Sequence, residues 1–172
     1  MTDTIRCFHC GTAIDGPAPH QLQIDGTAVA LCSNACQEIA TRIRDKGLTG
    51  FYRFRTDAAA PAGTNAEPER WASYDREALQ KEFVSSHSDG SREAQLLLQG
   101  VRCAACSWLI ERAMTAVPGV REIAVDPLTT RTRLRWDPRI TRLSELLTRI
   151  AVLGYDPYPY TEDEAGRAAI LE

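Results

Sequence analysis

The six cysteines of this chain fall into three close pairs, at positions 7 and 10, 32 and 36, and 103 and 106. Thiols spaced three or four residues apart converge on one metal ion more readily than they frame a disulfide scaffold. That spacing constrains the fold, because 172 residues suit one large or two small domains, and small domains bury marginal cores that gain from a metal staple. The opening Met1-Thr-Asp-Thr-Ile-Arg-Cys7 has none of the basic, apolar and small-residue order of a signal peptide, so a reducing cytoplasm is the expected compartment. No apolar stretch approaches the roughly 18 residues of a membrane-spanning helix. A membrane role is therefore expected only through an attached segment.

The formal net charge of -3 conceals an asymmetry: residues 1–93 carry 10 basic and 13 acidic side chains, 94–160 carry 9 and 6, and 161–172 carry 1 and 4. A dedicated nucleic-acid binder would show a stronger basic footprint, so that class is excluded. The same asymmetry suits either plain solvated surface or docking between oppositely charged proteins.

The chain divides into a cysteine-rich region, 1–56, a linker, 57–93, a regular module, 94–160, and an acidic tail, 161–172. The small, polar, proline-bearing stretch from Asp57 to Pro68 buries too little to order itself, and motion between the halves is expected. Beyond it, Trp71, Tyr74, Leu79 and Phe83 suit a short helix packed on one domain.

In the first region, Gln21 to Leu31 alternates apolar and polar residues around Asp25-Gly26, a hairpin signal. Ser33 reads as an N-cap, Cys36, Ile39, Ala40 and Ile43 share one helical face, and Gly47 marks the helix end. Cys7 and Cys10 sit on a knuckle before the hairpin, Cys32 and Cys36 at the start of the helix after it. This is the order of a treble-clef site, in which four thiolates close a tetrahedral Zn(II). His9, between the first two cysteines, is expected to face solvent.

The module 94–160 reads as strand Gln95–Gln99, helix Cys106–Val117, strand Val120–Val125, strand Thr130–Trp136, helix Thr141–Leu153 and a closing strand from Tyr155 to Tyr158. In the fourth element Thr132, Leu134 and Trp136 face one way and Arg131, Arg133 and Arg135 the other. The order βαββαβ is the ferredoxin-like plan, so the whole chain is expected to be α+β. Cys103 then lies on the loop leaving the first strand and Cys106 in the first turn of the helix, where the helix dipole favours thiolate. Two thiolates suit Cu(I), whereas Zn(II) asks for four ligands, and Arg102 stands where a hard carboxylate ligand would have favoured zinc. Taken alone the pair also suits a redox dithiol, although a thioredoxin-like fold would need an order other than ββαβ after its CxxC helix.

The strings GVRCAACSWLIERAMTAVPGV and LGYDPYPY resemble the heavy-metal-associated domain of copper-transporting P1B-type ATPases. CFHCG, LCSNACQEIATRIRDKGLTGFYRFRT and the Trp71–Asp75 segment resemble the extra N-terminal region of the subgroup that exports copper for cytochrome oxidase assembly. The resemblance implies Cu(I) on Cys103 and Cys106, with Tyr155 beside the metal. It also implies a Cu(I) chaperone as donor, and the membrane and catalytic domains of a parent pump as further partners. That pump would place this arm at the cytoplasmic face of a bacterial inner membrane. The subgroup usually has adjacent cysteines where Cys32 and Ser33 stand here. The first site is therefore either four-thiolate zinc on Cys7, Cys10, Cys32 and Cys36 or a looser copper-loading site. No DKTG motif is present, so the chain is not expected to hydrolyse ATP on its own. Two other readings remain open at this level, a thiol-disulfide oxidoreductase and a zinc-dependent interaction module. Trp108 is expected to shield the metal loop or to serve as a core or interface aromatic, and Met114 to lie in the core.

Overall fold

A computed structural model describes residues 3–59 and 68–160. Its first part begins with a minimal ladder, β1 (Ile5–Arg6) against β2 (Ala13–Ile14), that pinches the knuckle between them. Gly11 closes that knuckle at φ +76 and donates its N–H to the Cys7 carbonyl at 2.9 Å; a Cβ there would lie 2.9 Å from the Ala58 Cβ. The hairpin β3 (His20–Ile24) and β4 (Thr27–Leu31) follows. Its turn residues Asp25 and Gly26 have φ of 48 and 81, the paired positive values that make an Asp-Gly turn compatible with strand twist.

Helix α1 (Asn34–Asp45) starts where Ser33 Oγ accepts the Cys36 N–H at 3.2 Å. It ends in a Schellman arrangement, with Leu48 N–H on the Ile43 carbonyl and Gly47 N–H on the Arg44 carbonyl. Cys36, Ile39, Ala40 and Ile43 form its buried face, as the sequence pattern requires. A short α2 (Gly50–Phe54) then leads toward the second part. The unordered linker expected from the sequence falls largely on 60–67, outside the described residues. Asp57 to Ala59 lie against the knuckle, with Ala59 donating its N–H to the His9 carbonyl at 3.0 Å.

A 3₁₀ segment, Pro68–Asp75, and α3 (Glu77–Phe83) precede the sheet. Trp71 is fully buried, and Asp75 accepts hydrogen bonds from the Ser144 N–H and Oγ, closing the start of α5 (Leu143–Ala151) from outside that helix. The sheet strands are β5 (Val84–Ser86), β6 (Arg92–Gln99), β7 (Val120–Val125), β8 (Arg131–Trp136) and β9 (Asp156–Pro159). β6 pairs antiparallel with β8 on one side and shares its other side between β5 and β9. The spatial order β9-β6-β8-β7, with α4 (Ala104–Thr115) and α5 crossing over, is the ferredoxin-like arrangement.

Several boundaries differ from the sequence reading: α4, expected over Cys106–Val117, spans Ala104–Thr115, and the closing strand, expected over Tyr155–Tyr158, spans Asp156–Pro159. The first strand begins at Arg92 rather than Gln95, because Glu93 and Arg92 pair with Arg135 and Trp136 although their side chains break the apolar run. β5 is an added edge strand, too short and too polar to show a period. The second helix spans Leu143–Ala151, its start fixed by the external Asp75 contact.

One core joins the halves. Ile39, Ile43 and Phe51 from the first part pack in the same buried cluster as Cys106, Leu109, Leu153 and Tyr155. Trp108 of α4 meets Phe54 of α2 edge to face at 6.1 Å, so it is an interface aromatic. Met114 is core. No helix among the described residues is long and apolar enough to cross a membrane.

Candidate metal centres

Two thiol groups lie on either side of this interface. In the first, the ligand atoms of Cys7, Cys10, Cys32 and Cys36 lie within 4.8 Å of one another. Cys10 Sγ is 3.6 Å from Cys32 Sγ, and Cys32 Sγ is 3.8 Å from Cys36 Sγ. Four sulfurs at tetrahedral Zn–S distance would stand about 3.8 Å apart, so the cage has the dimensions of such an ion. No disulfide joins any of the six thiols. The knuckle contributes Cys7 and Cys10, the end of the hairpin Cys32 and the first turn of α1 Cys36. Thr12 Oγ1 lies 3.1 Å from Cys10 Sγ. Burial pushes the Cys10 thiol up, yet hydrogen bonds with Thr12, then with Cys32 and Cys7, together outweigh it and bring the pKa to about 7. Ser33 occupies the N-cap, which settles why the helix starts with a hydroxyl beside Cys32.

His9 departs from expectation. Its side chain is 2% exposed, with Nδ1 2.9 Å from Tyr52 Oη and its ring against Phe51 and Tyr52. Burial, with the Arg55 charge behind it, lowers its pKa from 6.5 to about 4. Spacing alone treats a residue between two ligands as a loop tip, whereas here α2 closes over the knuckle and covers it.

In the second group, Cys103 is the N-cap residue of α4 and half-buried, while Cys106, three residues on, is buried at 2% exposure. Burial raises the Cys103 thiol. Hydrogen bonding from the Thr56 backbone, then from the Cys106 and Ala105 amides and the Thr56 side chain, overcomes that and lowers the pKa from 9.0 to about 7. Tyr155 is buried against Cys106; desolvation first, then the neighbouring sulfur, raises its phenol well above 10. The residue named by family resemblance therefore does lie beside the pair.

Arg55 and Thr56 received no role from the sequence. Arg55 donates from Nη1 to the His9 carbonyl at 2.7 Å and from Nη2 to the Phe8 carbonyl, and stacks over Tyr52 at 4.8 Å from the ring centroid. Desolvation lowers its pKa, opposed by Tyr52 and then by Cys7, Cys103 and Cys106. No spacing rule reveals this clamp, because the carbonyls it holds lie more than forty residues back along the chain. The arginine stripe on β8 reads as expected for a solvated face, with Arg133 paired to Glu122 at 2.6 Å and Arg135 to Asp89 at 2.7 Å.

Residues 6–88 match the putative metal-binding domain of cation transport ATPase, and residues 95–156 match the heavy-metal-associated domain. The nitrogen fixation protein FixI of Bradyrhizobium diazoefficiens is 30% identical over 90 residues, covering 52% of this chain and 12% of that protein. A copper-exporting P-type ATPase of Staphylococcus aureus (strain Newman) is 37% identical over 140 residues, covering 78% of this chain and 16% of that protein. The chain thus spans less than a fifth of the length of these relatives. Among solved structures, the water-soluble region of the P-type ATPase CopA from Bacillus subtilis is 30% identical, covering 39% of this chain and 44% of that one, with a TM-score of 0.38.

Proposed function

We propose that this chain, whose residues match a metal-binding domain of cation transport ATPase and then a heavy-metal-associated domain, is an N-terminal region of a copper-transporting P-type ATPase, receives Cu(I) on Cys103 and Cys106 and delivers it to, or uses it to regulate, a parent pump. The observation that carries this reading is the pair's placement: a half-exposed thiol of lowered pKa at a helix N-terminus, with the second thiol buried three residues on. A donor chaperone holding Cu(I) between two thiolates meets Cys103 first. With a pKa of about 7, a large share of that sulfur is thiolate at neutral pH and can add to the ion without a base. One donor sulfur then leaves from the three-coordinate ion, Cys106 replaces the second and gives its proton to the departing donor thiolate, and Cu(I) ends on two sulfurs of this chain.

The four-cysteine cage fits Zn(II) in donor type and spacing. Its proposed role is to fold residues 3–59, which bury a small core of their own around Ile14, Ile24 and Leu31. The subgroup serving cytochrome oxidase assembly, and a location on the cytoplasmic side of a bacterial inner membrane, belong to the same proposal.

Anaerobic titration with Cu(I) against a chromophoric chelator tests it. The protein should hold about one tightly bound equivalent that the Cys103→Ser, Cys106→Ser double variant loses, with its zinc retained. Unchanged copper stoichiometry in that variant would overturn the assignment.

A further inference from the structure

A donor that hands Cu(I) to Cys103 through a three-coordinate ion brings its own sulfur into the same coordination sphere, so its surface closes over whatever is exposed around Cys103. Exposed Arg102 and Ala104 flank the thiol, and Ala104, Trp108 and Arg112 follow at four-residue steps along one face of α4. Trp108 lies about 7.5 Å along the helix axis from Cys103. Even a weak transient interface, on the order of 550 Å² a side, covers a disc roughly 13 Å in radius, so Trp108 falls inside the donor's footprint.

The first half widens this surface. Phe54 of α2 is 65% exposed although its ring meets Trp108 edge to face. Gly50 permits that approach, since a Cβ there would lie 3.2 Å from both rings. The Arg53 guanidinium stands 5.9 Å from the Phe54 ring centroid and that of Arg112 6.0 Å from the Trp108 centroid. The aromatic pair is thus framed by Arg53, Arg102 and Arg112, all exposed. Among the described residues no carboxylate forms an ion pair with any of these three, whereas Arg121, Arg133, Arg135 and Arg139 each have one. Glu111, next to Arg112, turns instead to the Val125 N–H at 2.9 Å.

We propose that Phe54, Trp108 and the three arginines form one docking surface, built by both halves, for an acidic face with an apolar centre on the protein that delivers Cu(I). The inference rests on the Cu(I) reading above and extends it to the partner's chemistry and to Arg53 and Phe54, which lie outside the heavy-metal-associated domain. Aromatic and arginine side chains carry most of the binding energy at protein interfaces. An unpaired basic rim steers an acidic partner toward the thiol and repels a basic one.

Stopped-flow transfer from two Cu(I)-loaded Cys-x-x-Cys peptides tests it, one carrying a leucine and glutamates beside the motif, the other the leucine and lysines, each rate taken relative to release to mercaptoethanol. At low salt the acidic peptide should deliver on the order of tenfold faster than the basic one, and the gap should close at about 0.5 M salt, as steering by exposed charge requires. The Arg53→Gln, Phe54→Ser double variant, changed at exposed positions, should lose most of that gap with its equilibrium Cu(I) affinity and zinc content unchanged. Arg112→Gln should narrow the gap as well and serves should the double variant not fold. Equal rates from the two peptides, or a full gap in the double variant, or in Arg112→Gln where the first does not fold, would overturn this inference while leaving Cu(I) binding intact. So would a dimer in sedimentation velocity that Phe54→Ser dissolves, because a second copy would then occupy the surface. Absence of Cu(I) binding in the parent protein, by chelator competition, would overturn the functional reading and this inference with it.

Discussion

Ser33 occupies a position between two requirements, helix initiation and metal ligation. Its Oγ accepts the Cys36 N–H, so it fixes the turn that brings Cys36 toward Cys32. Ser33→Ala should lower stability by about 1 kcal/mol, the usual worth of a cap, with zinc stoichiometry unchanged; denaturant unfolding and metal analysis check both halves of that statement. Cap, hairpin turn and ligand spacing were all legible in the sequence because each is a local rule read within a few residues. The burial of His9 was not, since it depends on Phe51 and Tyr52, more than forty residues away, folding back over the knuckle. Arg55 and Thr56 were illegible for the same reason. Arg55 reaches the Phe8 and His9 carbonyls and Thr56 reaches Cys103, each across more than forty residues of sequence.

At the scale of elements, the βαββαβ order was readable because each strand and helix carries its own apolar period, and β8 shows it most plainly. What the period did not show was help from outside. Asp75 closes α5 across 69 residues of sequence, and β5 extends β6 along an edge left over by β9. The corner after β8 offers a test. Asp137 accepts hydrogen bonds from the Arg139 side chain and backbone and from Arg121, which hold its carboxyl well below the usual range. The folded state therefore keeps Asp137 ionised where the unfolded chain takes up a proton. Its contribution is complete above the unfolded pKa near 4 and is lost as pH falls below it. The melting-temperature difference between wild type and Asp137→Asn should be largest at neutral pH and should shrink as pH drops below about 4. Comparing the two at each pH cancels losses common to both, including metal release.

For the whole molecule, the shared core implies that the two metal regions do not fold as beads on a string. Phe51 is fully buried in a core that includes Ile39 and Ile43 of the first half and Leu153 and Tyr155 of the second. Phe51→Ala should cost about 3–5 kcal/mol, and part of the loss should fall on the ferredoxin-like half, which Phe51 does not belong to in sequence. Emptying the first site has the same reach. Without its metal the cage loses the staple that orders residues 3–59, and with it go the cover over α4, the Trp108 contact and the Thr56 donors on Cys103. Hydrogen exchange should then report faster opening in two places after Cys7→Ser, Cys10→Ser substitution: across the first half, and at the start of α4 around Ala104 to Trp108. Protection in the central strands β6 and β8 should persist, because their ladders and the α5 face lie within the second half. If α4 kept its protection while the first half lost it, the halves would be energetically independent. Their common core would then be a contact without coupling.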